Sequence, residues 1–86
     1  MPTLVITHEV DDVAHWLAAT TREDFFGPLG ITVRTFVDPE QSNRVGLIVE
    51  TPSMDVFQSA MAKPEAAEAM KTDGVRPETL SVLVEG

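Results

Sequence analysis

The chain switches between two hydrophobic periods. Thr3 to Val10 is dense in Val, Ile and Thr, which marks a strand. Asp11 and Asp12 follow, and either short acceptor side chain suits the start of a helix. Val13, Trp16, Leu17 and Thr20 then recur at helical spacing, predicting one helix that ends before "FFGPLG". Ile31 to Val37 reads as a second strand and Arg44 to Glu50 as a third. The polar cluster "DPEQSN" between them is short enough for a hairpin, so these two strands are expected to be antiparallel neighbours. Ser53 is placed to cap a further helix with the stripe Met54, Phe57, Ala60 and Met61. Proline fits the first turn of a helix but not its interior. "KPEAAEAMKTDG" is therefore a separate short helix beginning near Pro64 and stopped by Gly74. Thr79 to Glu85 reads as a fourth strand.

The resulting order, β-α-β-β-α-β, is the split βαβ arrangement of the ferredoxin-like fold. It predicts an α+β domain spanning residues 1–86, with an antiparallel sheet and helices on one face. Strand alternation sorts the side chains. Leu4, Ile6 and His8, then Ile31, Val33, Thr35 and Val37, then Val45, Leu47 and Val49, and finally Leu80, Val82 and Val84 should face the helices. The other face carries Val5, Phe36, Ile48 and Leu83 amid polar residues, with Arg34 as its one charge. That is too apolar for a face that merely meets water, and it predicts a homodimer joined through Phe36, Ile48 and Arg34. Arg34 is expected to pair there with an acid such as Glu50, with an anionic ligand group as the alternative.

Composition narrows the function classes. The 86 residues hold 14 acids against six Lys and Arg, for a net charge of −8. Such a surface repels phosphate backbones and anionic headgroups, so neither nucleic acid nor membrane is an expected partner. There is no cysteine, which excludes disulfides and thiolate metal sites. Two histidines among scattered acids lack metal-ligand spacing. The first residues, "MPTLVITHEV", do not read as a signal peptide, and a cytoplasmic location is expected. No phosphate loop, dinucleotide fingerprint or nucleophile elbow is present.

The strand order, the His-bearing first strand, the early helix with Trp16 and the broken segment "SMDVFQSAMAKPEAAEAMKTDGV" together resemble the dimeric α+β barrel superfamily. The resemblance spans nearly the whole chain and is one of pattern and length. It implies a small, often aromatic ligand held between sheet and helices, as in cofactor-independent monooxygenases, polyketide cyclases and isomerases of that superfamily. It does not select among them. The monooxygenases and haem degraders rely on Asn, Trp and His or Tyr constellations, whereas this chain has no Tyr and a single Asn, Asn43, in a turn. His8 alone offers a match to a cyclase histidine.

His8 is thus the candidate general base, because an imidazole in an apolar interior exchanges protons near neutral pH. Glu9 alternates to the other face and is no partner for it, and His15 should rotate into solvent. Trp16, Phe57, Met61 and Phe26 are the candidate ligand walls. Each has a plainer reading: His8 as a strand-end residue, the apolar four as core. Two functions stay open. One is a cofactor-free enzyme of cyclase, isomerase or monooxygenase type. The other is a homodimer that binds a metabolite without changing it.

Overall fold

The computed structural model describes residues 2–86. Four strands, β1 (Thr3–Val10), β2 (Thr32–Val37), β3 (Arg44–Glu50) and β4 (Val75–Val84), form one antiparallel sheet in the order β2-β3-β1-β4. Four short helices cover one face: α1 (Val13–Ala18), α2 (Thr21–Phe26), α3 (Met54–Met61) and α4 (Pro64–Thr72). A 3₁₀ turn, Gly27–Leu29, follows α2. Among the described residues no helix is long and apolar enough to cross a membrane.

The central strands β1 and β3 supply the floor of the core. Leu4 lies opposite Val49, Ile6 opposite Leu47 and His8 opposite Val45, and all six are buried. Period-2 alternation under a helical layer requires this. Trp16, Phe26, Phe57, Ala60 and Ala66 are buried above them. Two helices start as their sequences dictate. Asp12 accepts from His15 N–H at 3.0 Å, and Ser53 accepts from Val56 N–H at 3.1 Å. Pro64 occupies the first turn of α4, and Gly74 takes the left-handed φ of 74° just beyond it.

Four expectations need correction. The first helix is two helices, because Ala19 adopts an extended backbone (φ −70°, ψ 137°). The signal was present: Thr20-Thr21-Arg22-Glu23 has the S/T-x-x-E spacing of a helix start. Leu17, placed on the apolar stripe, is consequently exposed. Strand β4 begins at Val75 rather than Thr79. Val75 and Arg76 pair with Val10 and Glu9, and pairing resumes only at Ser81 opposite Thr7. Residues 77–80 form a bulge opposite His8, bridged by Thr79, whose hydroxyl accepts from Glu9 N–H at 2.8 Å and donates to the Arg76 carbonyl at 2.7 Å.

Thr35, Val37, Val82 and Val84, expected beneath the helices, are exposed. The longest helix, with nine residues, reaches about 14 Å at 1.5 Å per residue. The ten-residue β4 runs about 33 Å. The sheet's corners therefore extend past its cover. Within the single chain, Arg34 and Glu50 form no ion pair among the described residues. Arg34 lies opposite Ile48, with its guanidinium carbon 5.9 Å from the Phe36 ring. On that outer face Val5, Phe36 and Leu83 are exposed in the single chain, and Ile48 is half-buried.

Candidate functional site

His8 projects from β1 into the space between sheet and helices and is 4% exposed. The adjoining bulge interrupts the β1–β4 pairing at this point. Such irregularities re-aim side chains around ligand sites. The edge of the His8 ring meets Trp16 with centroids 5.7 Å apart and planes at 80°. Trp16 is held there by α1, whose buried side it forms alone.

The break between α1 and α2 brings a third side chain to the site. Trp16 lies near the end of α1, where its carbonyl receives only a long backbone contact, from Ala19 N–H at 3.4 Å. Arg22, on the first turn of α2, turns back and donates to that carbonyl at 2.7 Å. Its guanidinium carbon lies 4.3 Å from the Trp16 ring centre, a cation–π arrangement. Its other terminal nitrogen pairs with Asp73 Oδ2 at 3.1 Å. Asp73, the residue that ends α4, is 2% exposed. Gly74 permits the chain reversal behind it, and its carbonyl accepts from Asp11 N–H at 3.0 Å.

These four residues border a cavity of about 60 Å³. Ile6 and Leu47 line it from the sheet, Phe25 and Phe26 from α2, and Met61 and Met70 from α3 and α4. Of the expected walls, Trp16, Phe26 and Met61 meet here beside His8. Phe57 does not; it is buried in the core. His15 is exposed and donates to the Thr72 carbonyl at 3.0 Å. Arg22 and Asp73 were not singled out from the sequence, where they read as ordinary surface charges on short helices.

The polar atoms of the site are incompletely paired. His8 Nδ1, Trp16 Nε1 and Asp73 Oδ1 are buried, and none has a hydrogen-bond partner among the described residues. Burial lowers the His8 pKa below its ordinary 6.5, the Glu9 backbone partly offsets this, and the Arg22 charge lowers it further. His8 is therefore a neutral imidazole at pH 7. Burial also pulls Arg22 down, against Asp73 and Glu23, which hold it up; the guanidinium stays charged. No carboxylate orients His8. Glu9 and Asp11 are both engaged by Arg76, at 3.2 and 2.9 Å.

Comparison with solved structures places this geometry in context. The cofactor-independent oxygenase SnoaB of Streptomyces nogalater, in a variant form, superposes with a TM-score of 0.73 at 18% identity, over 99% of this chain and 90% of that one. An antibiotic biosynthesis monooxygenase superposes with a TM-score of 0.67 at 12% identity, over 100% and 97%. Protein Atu4242 of Agrobacterium tumefaciens gives 0.62 at 16% identity, over 100% and 92%. No protein-family model and no curated protein matches the chain by sequence. With near-complete coverage at such low identity, what is shared is the backbone architecture. The chain has an α+β, ferredoxin-like fold that it shares with these structures.

Proposed function

We propose that this protein binds a small, largely apolar metabolite between sheet and helices and that His8 acts on it as a general base without a cofactor. The observation that carries this reading is a neutral, buried imidazole with a free ring nitrogen beside an apolar cavity. A base must be unprotonated to accept a proton, and His8 is so at pH 7. The first step is transfer of a proton from an acidic C–H or O–H of the ligand to the imidazole, leaving a carbanion, enolate or phenolate. Arg22 opposes the imidazolium, and its own charge is balanced by Asp73. Proton removal is common to cyclisation, isomerisation and cofactor-free oxygenation. The last has dioxygen as second substrate and is the chemistry named for SnoaB.

The cavity of about 60 Å³ is well below the roughly 300–1,000 Å³ of sites that enclose drug-sized ligands. A polycyclic substrate therefore requires α2 and α4 to separate. The test is turnover by His8→Ala and His8→Gln, followed by mass spectrometry across candidate metabolites. A general base contributes about 10²–10⁴-fold, and a loss of that size is expected. Unchanged turnover removes His8 from the mechanism.

The absence of an orienting carboxylate favours a second reading, a homodimer that holds its metabolite unchanged. Tight binding with no product in the same screen selects it. In both readings we propose that two copies meet through the outer sheet face, because Val5, Phe36 and Leu83 would otherwise remain in water.

A further inference from the structure

We infer that Asp73 is a ligand-binding residue and that, together with Trp16, it selects an uncharged ligand carrying a hydrogen-bond donor beside an acceptor, such as a hydroxyl group. This rests on the reading that the cavity between sheet and helices receives a ligand. Nothing in the sequence marks Asp73, and no step above uses it.

The argument begins from pairing. Asp73 uses Oδ2 on Arg22, and its Oδ1 is buried without a protein partner. A carboxylate oxygen only accepts, so the missing partner is a donor. Trp16 Nε1–H is also buried and unpartnered. An indole N–H only donates, so its missing partner is an acceptor. Both residues line the same cavity, whose other walls are almost wholly apolar. A hydroxyl is the smallest group that supplies both functions. A group of one polarity serves only one of the two atoms and leaves the other buried and unsatisfied.

Charge narrows the class further. Arg22 and Asp73 cancel, and His8 contributes no charge. A carboxylate or an ammonium ligand would enter a buried site that has no spare counter-charge, and its lost hydration would go unreplaced. The ligand head group is therefore neutral.

Phenol, benzonitrile and benzene separate the possibilities. Phenol donates and accepts, benzonitrile only accepts, and benzene does neither. Trp16 is the only tryptophan, so a single indole N–H cross-peak in a ¹⁵N spectrum reports its new partner. Affinities come from titration of that peak and from calorimetry. Wild-type protein is expected to bind phenol at least about tenfold more tightly than benzonitrile or benzene, with the indole peak moving downfield.

Asp73→Asn inverts the polarity. Its carbonyl oxygen takes Arg22 and its amide N–H faces the cavity, so benzonitrile should then bind more tightly than phenol. A merely structural Asp73 could lower all three affinities together but would not reverse their order. Equal binding of the three probes by the wild type overturns the inference and leaves the cavity reading standing, with water serving both atoms. Binding of none of them overturns both. The wild-type comparison stands even where the variant fails to fold.

Discussion

Replacing Arg22 by methionine tests the polar centre of the site. Arg22 and Asp73 join α2 to the end of α4, with side-chain exposures of 12% and 3%. Methionine keeps much of the stem that packs on Trp16 but removes the charge. Asp73 is then a carboxylate in the interior with neither oxygen paired. Breaking a buried pair from one side costs about 3–5 kcal/mol. The rim of Arg22 admits some water, which places the expected loss near the lower end, about 3 kcal/mol. For a domain of this size each kcal/mol moves Tm by about 4–8 °C, so a fall of roughly 12–24 °C is expected. Asp73→Asn should cost less, about 1–2 kcal/mol, because Arg22 keeps its bond to the Trp16 carbonyl and an exit to solvent. The double variant Arg22→Met/Asp73→Asn should recover part of the loss, since no charge then stays buried. Urea unfolding followed by Trp16 fluorescence at fixed protein concentration measures all three. A loss below about 1 kcal/mol for Arg22→Met, or strict additivity across the cycle, would show that water already reaches Asp73 and would refute a dry polar centre.

Other consequences are independent of that pair. His8 has a folded pKa below its ordinary 6.5, so below pH 6.5 the unfolded chain binds the proton first. Stability should fall as pH drops from 6.5 towards the folded value and level off beneath it, and His8→Gln should flatten that slope in unfolding curves. Gly30 has φ 75°, and a Cβ there would lie 3.3 Å from Pro52 Cγ; Gly30→Ala should cost about 1–2 kcal/mol. Gly27→Ala is its control, with a helical backbone and nothing within 4 Å of the new Cβ, and its stability should stay within about 0.5 kcal/mol of wild type or rise. Sedimentation at micromolar concentration should give twice the chain mass of 9.4 kDa. Phe36→Asp or Ile48→Asp should give the single-chain mass, and a wild type already at that mass would exclude the sheet-face dimer.

The boundary between sequence and structure falls where local periodicity gives way to long-range pairing. Thr3–Val10 and Arg44–Glu50 could be read to the residue, because period-2 alternation is written in consecutive side chains and both strands are central. The same alternation put His8 among buried residues and turned Glu9 away from it. Helical spacing did likewise for Trp16, and Asp12 and Ser53 cap from three residues away. At the sheet corners Val37, Val82 and Val84 look like core from their neighbours alone; their exposure depends on how far α1–α4 extend. The bulge in β4 depends on the partner strand β1. Arg22 and Asp73 stand 51 positions apart, each on a short polar helix where a solvated charge is the ordinary outcome. What sequence by itself determined was the order of elements, the two faces of the sheet and the positions of His8 and Trp16. Only the tertiary structure decided that Arg22 folds back over Trp16 and that the end of α4 delivers Asp73 to meet it. Those are contacts between elements, and no local period encodes them.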